Sequence, residues 1–238
     1  MGKTVDMNSN DRARRARLLV VGGSSEVASP ELVAQLADEA DAVVAVDRGL
    51  DALLAARRGC DLFCGDADSV SAEGAALVRA AEAGERDLRP GAPHVAEIER
   101  YNPHKDDTDL GLALCAIDKR WPGAELVCTC LTGGKPDHFL AVMGRLAGWS
   151  APVAFEEDGF SARILQAGAT WRLTGRAGNR FSFIPLSPEA IVSETGMEWE
   201  LDRKRVPLLS DLGISNVLHE DAQITCHEGT LVAYAFNK

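Results

Sequence analysis

The segment Asp61–Ser69 reads Asp-Leu-Phe-Cys-Gly-Asp-Ala-Asp-Ser, and it joins a short apolar run to two closely spaced carboxylates. The apolar half predicts a buried strand, and Gly65 permits a tight exit from it. Because alternate residues of an extended chain share a side, Asp66 and Asp68 are predicted to project together where the strand ends. Two carboxylates so placed can share a metal ion, but Asp and Ser here can equally form a turn that caps the next helix.

The same change from apolar strand to loop recurs over the first 150 residues. Strand-like runs alternate there with segments of helical spacing, which predicts a mostly parallel sheet flanked by helices, with ligands beyond the carboxyl ends of its strands. The predicted strands are Leu18–Val21, Ala42–Val46, Asp61–Cys64, Val95–Ile98 and Glu125–Leu131. The first predicted helix starts near Ser29. The others cover Leu50–Arg58, Ser71–Ala83, Asp109–Arg120 and His138–Gly148.

After Pro152 the pattern changes to short β-rich segments separated by turns such as Glu157–Gly159. A small antiparallel β domain is therefore predicted. Its predicted strands are Val153–Glu156, Ala162–Gln166, Ala169–Leu173, Arg180–Pro185, Glu198–Leu201, Ala222–Cys226 and Thr230–Phe236.

A second acidic group, Asp106–Asp109, opens a predicted helix. Free amides and positive partial charge at a helix N-terminus favour anionic groups. Acidic first turns are also common in ordinary helices, and Lys105 can simply offset this one. The functional interpretation is favoured because two acid clusters stand at strand ends that a parallel sheet brings to one edge.

The third motif, Gly133–His138, again lies between an apolar strand and a helix. Its glycines let backbone approach a ligand, Lys135 can meet a phosphate, and Asp137 can bind a hydroxyl, a metal ion or His138. The local alternative is that Asp137 is an ordinary N-cap and that His138 is structural.

Two further turns follow predicted strands. After the second strand, Arg48 is available to a phosphate and Asp47 to a ribose or a metal ion. After the first strand, Gly22–Ser25 has neither the lysine of a P-loop nor the spacing of a dinucleotide site, so a turn is the simpler interpretation.

Composition narrows the function classes. The formal net charge of -11 argues against a nucleic-acid partner, so an acidic protein that handles a polyphosphate must bring metal ions or a few focused cations to it. Six cysteines without a CxxC pair predict a reduced, cytoplasmic protein. The apolar run Leu18–Val21 is far too short for a signal segment or a membrane span, so no membrane partner is expected.

The ordered set of motifs resembles the thiamine pyrophosphokinase family. Near the C-terminus, Gly196–Leu201 is similar to that family's glycine, aromatic and leucine segment, and Ile214–Asn216 is similar to its Ser-Asn signature. Together the matches run from about residue 45 to the end of the chain, and their order is more specific than any one of them. The N-terminal motifs of the resemblance are Val46–Gly49, Gly65–Ser69, Lys105–Asp109 and Gly134–His138.

The resemblance implies an α/β catalytic domain in residues 1–150 and a thiamine-binding β-sandwich in residues 151–238. It also implies a homodimer whose sites combine residues from both subunits. The implied reaction is Mg²⁺-dependent transfer of pyrophosphate from ATP to the thiamine hydroxyl, which gives thiamine diphosphate and AMP. Positioning and charge neutralisation would carry such an in-line transfer.

Site residues follow from the motifs and the resemblance together. The expected metal ligands are Asp66, Asp68, Asp106 and Asp109. The expected catalytic residues are Asp66, Asp68, Asp109, Lys135 and Asp137. The expected ATP contacts are Asp47, Arg48, Ser69, Lys105, Thr108, Lys135 and His138. The expected thiamine contacts are Asp137, Ser215, Asn216 and Trp199.

Three positions depart from the family pattern. Ala67 replaces a bulkier residue, Arg48 stands where a second glycine is commoner, and Lys135 replaces an arginine. Lysine offers a point charge and not the bidentate fork of a guanidinium. Two alternatives therefore stay open: a pyrophosphokinase for another heterocyclic alcohol, such as a pterin or a thiamine analogue, and a non-catalytic nucleotide or thiamine sensor.

Overall fold

The computed structural model describes residues 14–85, 92–101 and 107–237. Its helices are α1 (Pro30–Glu39), α2 (Gly49–Ala55), α3 (Ala72–Glu82), α4 (Asp109–Arg120) and α5 (Pro136–Ala147). Its N-terminal strands are β1 (Arg17–Val21), β2 (Ala42–Val46), β3 (Cys60–Gly65), β4 (Val95–Arg100) and β5 (Glu125–Thr129). The C-terminal strands are β6 (Val153–Glu157), β7 (Phe160–Gln166), β8 (Thr170–Leu173), β9 (Arg180–Pro185), β10 (Glu189–Met197), β11 (Leu201–Pro207), β12 (Asn216–Glu228) and β13 (Thr230–Phe236).

The parallel part of the sheet has the order β6-β5-β1-β2-β3-β4. Alternate residues of its buried strands enter two separate cores. Leu18 and Val20 pack in the core that includes α4 and α5, whereas Leu19 and Val21 pack in the core that includes α1, α2 and α3. The predicted parallel sheet with helices on both faces is therefore confirmed.

Capping side chains position three of the helices. The hydroxyls of Ser29, Ser71 and Thr108 accept hydrogen bonds from backbone amides in the first turns of α1, α3 and α4. These contacts satisfy amides that have no partner inside a helix. Each of these helices therefore begins at the loop that follows a strand's carboxyl end, where the candidate site lies.

Strand β6 joins the parallel and antiparallel regions. It pairs in parallel with β5 and antiparallel with β7, so the sheet continues across residue 150. Beyond β7, the strands β13 and β9 extend it in antiparallel pairing.

A third core lies between two β layers in the C-terminal region. Phe181 and Phe183 of β9 enter it from one layer, and Val192 of β10 and Ile224 of β12 enter it from the other. The long strand β12 pairs with β9 near its start and with β8 and β10 further on. The predicted C-terminal sandwich is thus present.

One strand prediction is wrong. Glu198–Glu200 forms the connection between β10 and β11, and Leu201 is the first residue of β11. The strands on either side, Glu189–Met197 and Leu201–Pro207, were not predicted. Exposed charged residues occupy most of β11, which is at the edge of its sheet, so it lacks the alternation that marks a half-buried strand.

The sequence analysis did not predict a buried carboxyl that lies in β10. Glu194 is only 2% exposed, and its Oε1 has no hydrogen-bond partner among the described residues. Burial raises the pKa of Glu194 to about 8, although its interaction with the Asn216 side chain acts in the opposite direction. The acid is therefore mostly neutral at pH 7.

We expect Glu194→Gln to stabilise the protein at high pH. Because the pKa is raised by folding, the wild type loses stability as pH rises from about 4.5 towards 8, whereas glutamine does not titrate. In urea unfolding, the free energy of unfolding should be higher for the variant than for the wild type by roughly 1–3 kcal/mol at pH 8, and by less at pH 5. Glu220→Gln, at an exposed position of β12, should show no such difference; an equal gain in both variants would contradict this account.

Candidate active site

Three aspartates converge beyond the carboxyl ends of β2 and β3. Asp47, Asp66 and Asp68 each offer a carboxylate oxygen, and these oxygens all lie within 4.8 Å of one another. The register explains the meeting: Val46 is opposite Cys64, and the Asp47 amide donates to the Cys64 carbonyl at 2.9 Å. Because β2 and β3 are parallel and in register, the residues that follow them lie close together at the same edge of the sheet.

A fourth carboxylate acts on the same cluster from α4. The pKa of Asp47 is raised to about 6, first by burial and then by the charges of Asp109 and Asp66, while a hydrogen bond from Ser69 acts in the opposite direction. The Asp109 charge thus reaches Asp47 although 62 residues separate them in the chain. The charges of Asp66, Asp68 and Asp109 therefore all act on Asp47, while the predicted metal-binding roles of these residues stay predictions.

Residues around this cluster adopt backbone conformations that are costly for their types. Asp47 has a φ of 51° and Ala67 a φ of 61°, both in the left-handed region. Gly65 has a φ of 154°, and a Cβ there would lie 2.5 Å from Oδ1 of Asp47. Non-glycine residues in this region cost free energy and are typical of functional sites.

The cluster fits a hard divalent cation. Oδ1 of Asp47 is buried and has no hydrogen-bond partner within the part of the chain that the structure describes. Mg²⁺ is bound in proteins by a small number of carboxylates together with substrate phosphates. A cation would give that oxygen a partner and would offset the repulsion between the aspartates.

Two cationic side chains lie at the same edge. Arg48 directly follows Asp47, and its Cβ is 3.0 Å from where a Cβ of Gly23 would lie. Lys135 immediately precedes α5 and is exposed. In the described ranges, neither side chain has a hydrogen bond or an ion pair, so both are available to a phosphate.

The loops after β1 and β5 are fastened together. The Ser24 hydroxyl donates to the Thr132 carbonyl at 2.6 Å, and the Gly134 amide donates to Oε1 of Glu26 at 3.4 Å. These strands are adjacent in the sheet, and the chain order reverses between them. Ligands of open α/β sheets bind at such a reversal.

The C-terminal candidates have different environments. Asn216 is 4% exposed, and its side chain holds the β10–β11 connection by accepting from the Trp199 amide at 3.1 Å and donating to the Trp199 carbonyl at 2.7 Å. Ser215 has a φ of 64°, and its hydroxyl accepts from Arg180 at 3.0 Å. The Trp199 side chain itself is 61% exposed.

Comparison with known proteins identifies the family. The description "Thiamin pyrophosphokinase, catalytic domain" matches residues 33–153, and "Thiamin pyrophosphokinase, vitamin B1 binding domain" matches residues 169–231. The chain belongs to the thiamin pyrophosphokinase family. The family resemblance seen in the sequence motifs is therefore confirmed.

Solved structures of thiamin pyrophosphokinases share the fold. A family protein from Enterococcus faecalis superposes with a TM-score of 0.72 at 23% identity, covering 94% of this chain and 100% of its own. The enzyme from Bacillus subtilis gives 0.71 at 23% identity, with coverages of 93% and 99%. That from Candida albicans gives 0.69 at 13% identity, with coverages of 94% and 90%. The comparison with curated proteins gave no match.

Other predicted site residues of this thiamin pyrophosphokinase family member have local roles in the structure. Thr108 caps α4, and Asp137 accepts from the His138 amide at 3.0 Å in the first turn of α5. Both Asp137 and His138 are exposed. Lys105 and Asp106 lie outside the described residues. The site roles proposed for all of these residues stay predictions.

Sequence reasoning did not single out several residues that support the motifs. Arg100 donates to the Asp66 carbonyl, and Arg145 of α5 pairs with Asp107 beside the start of α4. Glu157 of β6 accepts from the loop after β5. No local pattern marks these side chains, because each acts on a segment far away in the sequence.

We expect Mg²⁺ to stabilise the folded protein through this cluster. A ligand that binds only the native state contributes about 1.4 kcal/mol at ten times its dissociation constant. Asp66→Asn and Asp68→Asn should each reduce the Mg²⁺-induced rise in unfolding temperature, because each removes one carboxylate charge. Asp118→Asn, on the exposed side of α4, is the control; an unchanged rise in the first two variants would remove the cluster from metal binding.

Proposed function

We propose that this chain transfers a pyrophosphoryl group from ATP to thiamine in a magnesium-dependent reaction that gives thiamine diphosphate and AMP. The observation that carries the proposal is the convergence of Asp47, Asp66 and Asp68, under the charge of Asp109, in a member of this family. A cluster of this kind suits a polyphosphate that arrives with divalent cations. ATP and thiamine are the corresponding substrates.

The reaction needs positioning and charge stabilisation more than covalent chemistry. The thiamine hydroxyl oxygen attacks the β-phosphorus of ATP, and the bond from that phosphorus to the oxygen bridging to the α-phosphate breaks. AMP leaves with that oxygen, and the hydroxyl proton is released. Bound Mg²⁺ would supply neutralisation of the phosphate charge.

The chain's own residues then have distinct roles. Asp66, Asp68 and Asp109 would hold the metal, with Asp47 as a further ligand at the centre of the cluster. Asp106 and Thr108 would support the same group. By holding the metal, these carboxylates would fix where the phosphates bind, which favours the in-line arrangement.

The phosphate oxygens that the metal does not contact need positively charged hydrogen-bond donors. Lys135, Arg48 and Lys105 would contact them, with Ser69 and His138 as further partners. Asp137 would orient the substrates. Because Lys135 provides a point charge, it can follow a phosphate that changes position during transfer.

Ser215 and Trp199 would contact thiamine. The Asn216 side chain would fix the position of Trp199 through its hydrogen bonds with the Trp199 amide and carbonyl. The exposed indole offers an aromatic face to a heterocycle. Along the sheet, β12 is separated from β3 by seven strands, or eight steps of about 4.8 Å each. We therefore propose that Trp199 of one chain meets Asp66 of a second copy, which requires that two chains associate.

A homodimer satisfies this requirement. Large apolar side chains are exposed next to the proposed thiamine residues, and a second copy would bury them. They are Trp199, Leu208, Leu209, Leu212 and Ile214.

None of the described helices is long and apolar enough to cross a membrane. The six cysteines are all free in the structure, which supports the proposal of a reducing, cytoplasmic location.

Product analysis tests the reaction. Mass spectrometry after incubation with ATP, Mg²⁺ and thiamine should show AMP and thiamine diphosphate in equal amounts. Asp66→Asn and Asp109→Asn should each lower the rate about a hundredfold or more, because metal clamps contribute several kcal/mol to transition-state stabilisation. Near-wild-type turnover in both variants would remove these carboxylates from the mechanism.

The same assay separates the alternatives. Faster AMP formation with a pterin or a thiamine analogue than with thiamine would assign another acceptor, as the departures at Ala67, Arg48 and Lys135 allow. Tight ligand binding without turnover at every Mg²⁺ concentration would assign a sensor. Release of ADP and phosphate alone would contradict pyrophosphoryl transfer.

Lys135→Ala should weaken ATP binding. A hydrogen bond to a charged group contributes roughly 1.5–3 kcal/mol, so the KM for ATP should rise about tenfold to a hundredfold. Lys135→Arg should keep most of the affinity because it keeps the charge. Lys119→Ala, at the exposed end of α4, should leave KM unchanged; equal effects at positions 119 and 135 would indicate a loss of general charge.

A further inference from the structure

A carboxylate from β6 reaches into the loop that follows β5. Glu157 ends β6, and its Oε2 accepts from the Cys130 amide at 3.3 Å and from the Thr129 hydroxyl at 3.3 Å. Its Oε1 accepts from the Thr132 hydroxyl at 3.0 Å. One side chain therefore contacts three residues of a segment 25 to 28 positions earlier in the chain.

The segment that Glu157 contacts needs outside support. Cys130 has a φ of 54°, a conformation that non-glycine residues adopt at a cost in free energy. At this point the chain leaves β5 and turns towards Gly133 and Lys135. Its buried amide would lack a protein acceptor if Glu157 were removed.

A second set of contacts to the same loop comes from the loop after β1. The Ser24 amide donates to the Cys130 carbonyl at 2.9 Å, and the Ser24 hydroxyl donates to the Thr132 carbonyl at 2.6 Å. Glu157 thus accepts from the loop, and Ser24 donates to it. The two contacts together define where the loop begins.

The two acids on either side of Glu157 in the sequence contact other parts of the molecule. The Glu156 carboxylate accepts from the Ser161 hydroxyl at 2.6 Å and pairs with Arg163 at 2.6 Å, so it faces β7. Asp158 accepts from the Ser29 hydroxyl at 2.6 Å, next to the start of α1. Only the middle acid of these three contacts the loop that leads to Lys135.

Burial raises the pKa of Glu157, while the hydrogen bonds from the Thr132 hydroxyl and from the loop amides lower it. Burial has the larger effect on this half-buried carboxyl, and its hydrogen-bond partners favour the charged form. An amide in its place would keep the volume but would offer one accepting oxygen and an additional donor.

We infer that Glu157 is a positioning residue that sets the path of the Gly133–Lys135 loop and so places the Lys135 ammonium for a nucleotide's phosphates. The inference rests on the proposed function only in taking a nucleotide as the ligand. Glu157 itself does not touch the phosphates. It acts through the Cys130 amide and the Thr132 hydroxyl.

The test compares Glu157→Gln with the matched control Glu156→Gln. Calorimetry with Mg²⁺ and α,β-methylene ATP, whose α–β bridge does not transfer, measures nucleotide affinity without turnover. We expect Glu157→Gln to weaken this binding about tenfold, the loss typical of one hydrogen bond to a charged group, and Glu156→Gln to leave it unchanged. Equal affinity in both variants would overturn the inference.

A direct observation of the loop distinguishes positioning from general destabilisation. Amide hydrogen exchange at Cys130 should accelerate at least tenfold in Glu157→Gln while the amides in the middle of β1 keep their protection. In active enzyme, the KM for ATP should rise while the KM for thiamine stays unchanged. Accelerated exchange throughout the sheet would assign a purely structural role and would contradict the inference.

A second variant approaches the same contact from the loop. Thr132→Val removes the hydroxyl that donates to Glu157, so its effect on nucleotide affinity should not add to that of Glu157→Gln in the double variant. Additive effects would count against the contact. If the wild type makes no thiamine diphosphate but binds the analogue in a Glu157-dependent way, the proposed reaction fails and the positioning role stands.

Discussion

The repulsion among carboxylates at the ends of β2 and β3 is the constraint on which the site depends. Asp47, Asp66 and Asp68 lie closer together than free carboxylates would, and Asp109 adds its charge from α4. Pairing between two buried strands and the capped start of a helix hold them there. The fold carries this electrostatic cost by itself, and a bound divalent cation would offset it.

Strand β6 connects the two halves of the molecule in both packing and chemistry. It continues the parallel sheet from β5, reverses direction into the antiparallel strands, and ends at Glu157. Glu157, at the end of the first C-terminal strand, therefore contacts the loop that follows β5 in the N-terminal region. Along the sheet, seven strands lie between β12 of the sandwich and β3 at the acidic edge.

Several local expectations agree with the structure because short-range physics decides them. The apolar runs form strands, Thr108 caps α4, and Gly65 allows the tight exit before Asp66. The failure at Glu198–Leu201 has an equally clear cause. Its aromatic and apolar residues suggested a strand, but Asn216 binds the Trp199 backbone and holds it as a turn.

Local patterns in the sequence predicted the five described helices, most of the strands, the acidic residues at strand ends and the family, since strand patterns, caps and motif spacing are all local or ordered along the chain. The three-dimensional contacts added that the half-buried Asp47 joins Asp66 and Asp68 in one acidic cluster, that Asn216 is buried in the sandwich, and that Glu157 reaches the loop after β5. The physical reason is that burial and charge coupling depend on which segments become neighbours. That information belongs to the register of the sheet and to the faces on which the helices pack.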